Sequence, residues 1–205
     1  MDMLVEAGHM EWQGSLRATY DKYLYPDVLE YENKEMWSWV EKNYVTDLFQ
    51  FDTAVGLQAA QRIKPKSLIE LATANSIMRL MVSGENAEQP IDTYIRYKND
   101  INQWYSCMRD EYHLTENEIK TVEPYLLPVY GVGDTQEIVM EISMDEHISG
   151  FDVAQANKLR KGISKKDKDL QAAMKKMFFE HGKEINTSEN LLTYIWIEVV
   201  GKQLG

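Results

Sequence analysis

The chain has 205 residues, 44% of them hydrophobic and 27% charged, with 12 Tyr and 5 Trp, which suits one domain with a sizeable core and excludes general disorder. The formal net charge of -11 argues against long-range attraction to a polyanion, and no apolar run approaches the roughly 18–20 residues of a membrane span. A single cysteine, Cys107, excludes an internal disulfide and a cage of several cysteines around zinc, and with no basic or apolar leader at Met1–Glu6 a cytoplasmic location is expected.

Along the chain, Trp12 to Tyr31 is aromatic and irregular, and reads as an extended arm or hairpin; residues 1–32 are taken as this arm. Asn33 opens a short helix over Glu35–Asn43, and Val45–Phe51 reads as a brief extended piece. Thr53 caps a helix to about Ile63 that stops at Lys64-Pro65, because proline disfavours a helical residue before it. Ser67 and Glu70 have capping-box spacing ahead of Leu68, Leu71, Ala72, Ile77 and Leu80, a helix expected to fade near Ser83-Gly84. Ile91, Tyr94, Ile95, Lys98, Ile101 and Trp104-Tyr105 share a helical repeat running to about Met108. Thr115 and Glu118 form a second capping-box pattern, and Pro124 ends or bends the helix it opens. After the loop at Tyr130–Asp134, Asp134 opens a helix with Ile138, Val139, Ile142 and Ser143 inside. Asp152 starts one through Gly162, and Ser164 or Asp167 a longer one to about His181-Gly182. Thr187 and Asn190 precede the last, which ends near Gly205. The expected fold is mainly α, with about eight or nine helices over residues 33–205.

The charge is unevenly spread. Residues 158–183 hold nine Lys or Arg against three acids, a net +6, so the remainder is -17. A solvated helix face explains an isolated lysine run, yet such a run also meets a polyanion locally. Other chemistry is absent from the pattern. His9, His113, His147 and His181 are scattered, with no zincin spacing. No phosphate-binding glycine loop and no nucleophile elbow occurs. Asp167-Lys168-Asp169 is the only Asp-x-Asp, and its place at a helix start reads as capping rather than as a two-metal pair.

Three blocks in order carry a resemblance. The first is Val45-Thr46-Asp47-Leu48-Phe49-Gln50-Phe51-Asp52, continuing through Gly56 and Arg62-Ile63-Lys64-Pro65-Lys66-Ser67-Leu68. The second is Ile91-Asp92-Thr93-Tyr94-Ile95-Arg96-Tyr97-Lys98. The third runs from Glu123-Pro124-Tyr125-Leu126 through Tyr130-Gly131-Val132 to Ala156-Asn157-Lys158-Leu159-Arg160-Lys161-Gly162-Ile163-Ser164-Lys165-Lys166. Together they resemble the fingers region of the bacterial DNA polymerase III alpha subunit, a C-family replicative polymerase, in a diverged phage or prophage branch.

The resemblance implies a multi-helix fingers domain over 33–205, cut short at its C-terminal end and preceded by an arm that follows the palm. It implies binding of the incoming dNTP and template-primer DNA during replication, with the palm and thumb of the same polypeptide as partners and no membrane. The catalytic aspartates and their Mg2+ would belong to the full-length parent, leaving this chain without catalytic residues and inactive alone. Lys158, Arg160, Lys161, Lys165 and Lys166 would face the triphosphate, with Arg79, Gln136 and Glu137 as further pocket residues. The chain departs from the family at Arg160-Lys161, where Arg-Arg is common, at Gly162-Ile163-Ser164 in place of Ala-Met-Gly, and at Arg79-Leu80-Met81 in place of Arg-Pro-Gly. A free-standing all-α replisome adaptor and an unrelated acidic helical scaffold are the competing readings.

Overall fold

Local capping chemistry sets most of the helix starts. The computed structural model describes residues 1–45, 47–80 and 88–204; Thr46, Met81 and the helix end expected at Ser83-Gly84 lie outside them. Every regular element among the described residues is helical. Among the described residues there are twelve α-helices rather than eight or nine, because the expected Ile91–Met108 helix divides and the arm holds two of its own.

The arm is neither extended nor a hairpin. It contains α1 (Asp2–Glu6) and α2 (Leu16–Tyr23), the latter capped by Ser15, whose Oγ accepts from the Ala18 N–H, and braced by the i,i+4 pair Arg17–Asp21. Local bonds alone make these turns, and within residues 1–32 only Thr19 is buried. Asn33 caps α3 (Lys34–Glu41). The stretch after it forms successive turns instead of a strand, with the Leu48 N–H bonded to the Val45 carbonyl and the Phe51 N–H to that of Leu48. Those turns bring Val45 and Phe51 into the core while Phe49 stays 78% exposed; a strand's alternation would have put all three on one face.

Thr53 caps α4 (Ala54–Ile63), which ends at Lys64 in the left-handed region. In α5 (Leu68–Ile77) Ser67 caps the Glu70 N–H, but the Glu70 carboxylate reaches the Lys66 N–H rather than closing a box on Ser67. The buried face of α5 is Glu70, Thr73, Ala74 and Ile77; of the expected apolar residues Ile77 is in the core and Leu71 and Leu80 pack against it, while Leu68 is half exposed and Ala72 exposed. The expected Ile91–Met108 helix is two: α6 (Pro90–Asn99) and α7 (Asn102–Ser106). Asp100 breaks it by turning its carboxylate onto the Asn102 N–H at 3.1 Å, a local bond that competes with helix continuation. A π-turn at Cys107–Glu111 follows α7.

The Thr115–Glu118 capping box is complete at the start of α8 (Glu116–Leu126), and Pro124 is accommodated inside its last turn. Thr135, not Asp134, caps α9 (Gln136–Met144). Next come α10 (Val153–Ser164), α11 (Lys168–Glu184) and α12 (Glu189–Tyr194), capped by Asp152, Asp167 and Ser188. A second π-turn, Ile195–Val200, extends α12. Trp104, Tyr94, Tyr194, Phe178, Met108, Ile119 and Leu126 form the fully buried centre. The Trp104 indole N–H donates to the Tyr194 hydroxyl at 2.8 Å inside it, tying α7 to α12 across the core. Gly131, at φ 75°, lets the chain pass Trp104 where a Cβ would meet the ring at 2.5 Å.

Candidate functional site

The cationic run begins on α10. A reciprocal box, Asp152 with Gln155, opens this helix. Its buried face is Ala156, Leu159, Gly162 and Ile163, packed against α9 and α11. That choice of core face turns Lys158 and Lys161 outward, three residues apart on one side. Both are exposed, as are Lys165 and Lys166. None of these four lysine side chains has an acid partner among the described residues. Arg160 is half buried; its Nε and Nη2 donate to Asn157 Oδ1 at 3.0 and 2.9 Å. Asn157 is neutral, so the guanidinium is oriented without losing its charge and keeps further N–H groups for an acceptor.

The end of α10 is a left-handed cap. The Lys166 N–H bonds to the Ile163 carbonyl at 3.0 Å and the Asp167 N–H to that of Gly162 at 3.1 Å. This is the Schellman pattern, whose left-handed position favours glycine. Lys166 occupies it at φ 52°. Lys165 and Lys166 thus project from the tight turn between α10 and α11, beside the negative end of the α10 dipole. The adjoining start of α11 is already met by Asp167, whose carboxylate accepts from the Leu170 N–H at 3.0 Å. Asp167-Lys168-Asp169 therefore sits where the capping reading put it.

Gln136 is brought to this cluster and Arg79 is not. Gln136 Oε1 lies 2.8 Å from Ser164 Oγ, which also lies 2.9 Å from the Arg160 carbonyl oxygen. One hydroxyl proton serves one acceptor, so turning the Gln136 amide, to donate its NH2 to Ser164, satisfies all three groups. Glu137 follows in the first turn of α9, exposed and unbonded to the cluster. Arg79 is exposed in the turn after α5, and no described bond joins it to α10. Five cations thus lie along α10 and the turn that ends it, with Arg160 held by Asn157 and the four lysines exposed. Among the described residues no group of three or more His, Cys, Asp or Glu is placed to hold a metal.

A second polar centre escaped the sequence reading. Glu70, 8% exposed, accepts from Lys98 Nζ at 2.8 Å, the Lys66 N–H at 2.6 Å and the Tyr130 hydroxyl at 2.9 Å. Lys98 also donates to the carbonyls of Ile63 and Lys64 at the end of α4. Burial works against ionisation of Glu70, but these donors together hold its pKa below the usual carboxylate value. The available signal was a lysine on the apolar repeat of α6. Nearby, Asp134 is 6% exposed with Oδ1 unpartnered, and burial pushes its pKa up.

The bacterial DNA polymerase III alpha subunit finger domain matches residues 11–186. The chain is 49% identical over its whole length to a probable DNA polymerase YorL of Bacillus subtilis strain 168 and, equally, to a DNA-directed DNA polymerase of Bacillus phage SPbeta. It is 28% identical over 171 residues to the DNA polymerase III subunit alpha of Aquifex aeolicus, covering 83% of this chain and 13% of that protein. The chain spans 16% of the length of the two Bacillus relatives.

Proposed function

Because the chain belongs to the bacterial DNA polymerase III alpha subunit finger-domain family, we propose that it binds the triphosphate of an incoming dNTP for a DNA-directed DNA polymerase. The observation that carries this reading is the set of unpaired cations at the α10–α11 junction. Arg160, oriented by Asn157, is the group suited to phosphate oxygens in a fixed geometry, and Lys158, Lys161, Lys165 and Lys166 act as point charges around it. In phosphoryl transfer such groups stabilise charge moving onto the leaving pyrophosphate. Gln136 and Ser164 position the last turn of α10, and through it the Arg160 backbone. Glu137 and Arg79 make no hydrogen bond to this group among the described residues, and our reading gives them no such role.

Mg2+ chemistry is placed outside this chain in our reading. The carboxylate within the lysine run, Asp167, caps α11. Template-primer DNA, palm and thumb are the partners this reading calls for, and the chain contributes binding to the reaction rather than bond-making.

Titration of dATP without metal into the full chain at low salt tests the proposal, read by calorimetry. Removing a charged hydrogen bond costs about 1.5–3 kcal/mol, so Arg160→Ala should weaken binding at least tenfold, and adding Lys161→Ala should weaken it further. Equal affinity of the double variant and the parent chain would overturn the assignment.

A further inference from the structure

A groove of about 470 Å3 lies between α11 and the helical segment that extends α12. Its wall on α11 is Ala172, Lys175, Lys176 and Phe179; Thr193, Trp196 and Ile197 face them. Lys175 Nζ sits 6.0 Å from the ring centroids of both Phe179 and Trp196. It has no acid partner among the described residues, while Lys176 makes only a loose 3.7 Å contact with Glu180. Lys168 shares the outer face of α11 with Lys175, two turns away, and lies just beyond the Lys165–Lys166 turn.

We infer that this groove binds one base of a single-stranded DNA, with Lys175 and Lys176 taking the adjoining phosphates. A planar base stacks on an aromatic ring, and every nucleotide step supplies a phosphate to a lysine rim. Phe179 offers the stacking surface, since Trp196 is only 6% exposed. Lys175 now covers that surface and swings to a phosphate when the base enters, giving up a weak contact with the rings. Ile197, 49% exposed, closes the outer side. An apolar protein segment is the poorer occupant, because it would bury Lys175 and Lys176 without neutralising them. The groove is separate from the α10 cluster, although a role in template binding rests on the polymerase reading.

The test is binding of a labelled oligothymidylate to the full chain at low salt, followed by fluorescence anisotropy. An abasic oligomer of equal length and polyglutamate serve as the comparison probes. Phe179→Leu keeps apolar volume and removes the ring; it should weaken oligothymidylate roughly five- to hundredfold and leave the abasic oligomer unaffected. Lys175→Ala, at an exposed position that does not threaten folding, should weaken both oligomers. Binding of dATP should be unchanged in either variant, so a failure of the α10 assignment appears separately, as dATP binding insensitive to Arg160→Ala. The proposal falls if oligothymidylate and the abasic oligomer bind alike and Phe179→Leu has no effect. It also falls if polyglutamate binds as tightly and shows the same loss in Phe179→Leu, which would mark an acidic-peptide groove.

Discussion

Two lysines show how one residue type takes opposite roles. Lys98 is half buried and its charge is consumed by Glu70 and two carbonyls. Lys166 is exposed and strained, held at φ 52° where glycine is preferred. Lys98→Met should destabilise by about 3 kcal/mol, because it strands a buried carboxylate. Glu70, with its pKa lowered in the fold, contributes stability that is present above the ordinary carboxylate pKa and lost as pH falls through its folded value. In Lys98→Met that pKa rises, so the acid-unfolding midpoint, followed by circular dichroism, should move to higher pH. Lys166→Gly removes the left-handed penalty of about 1 kcal/mol, a rise of roughly 2–4 °C in melting temperature. The same change should weaken dATP binding, since the proposed site loses a charge. A variant that gained stability and kept full affinity would remove Lys166 from the site.

At the scale of elements, many helix starts were legible from a side chain that caps its own backbone, although the caps Ser15, Thr135 and Ser188 were not the ones expected. Asn33, Thr53, Ser67, Thr115, Asp152 and Asp167 all cap as their spacing suggested. Helix interiors were less so. The two π-turns, Cys107–Glu111 and Ile195–Val200, continue helices whose sequences give no sign of a wider turn. They face each other in space: Tyr112, just past the first, donates its hydroxyl to Glu198 of the second at 2.6 Å. The Trp104–Tyr194 bond reinforces this pairing of α7 and α12. Tyr194→Phe leaves the buried indole N–H without its acceptor, a cost of about 1–3 kcal/mol. Urea unfolding should show a lower midpoint with an unchanged slope; an unchanged midpoint would mean that water replaces the hydroxyl.

Across the whole molecule, stability is concentrated beyond residue 32. Residues 1–29 bury only Thr19, while Trp12, Leu16, Tyr25 and Leu29 are each at least 40% exposed. Deleting residues 1–29 retains the Tyr31 carbonyl that accepts from the Trp37 indole. The deletion should lower the melting temperature by no more than about 2 °C, because little buried backbone or apolar surface goes with it. A large loss would show that the segment is integral to the core. No helix among the described residues is long and apolar enough to cross a membrane.

The sequence by itself determined that the chain is helical, where most helices begin, and that its cations cluster at 158–183. These are local properties, decided by residues within one or two turns of each other. The inner face of α9 was legible too, with Val139, Ile142 and Ser143 buried as expected; for α5 tertiary structure alone decided the buried face. It gave α5 an inner face with a carboxylate, because Lys98 and Tyr130 arrive from elsewhere in the chain to satisfy it. It brought Gln136 to Ser164 and left Arg79 outside the cluster. It also drew Phe179 and Trp196 together under Lys175, a juxtaposition of distant positions with no trace in local spacing, since it exists only once α11 and the end of α12 pack.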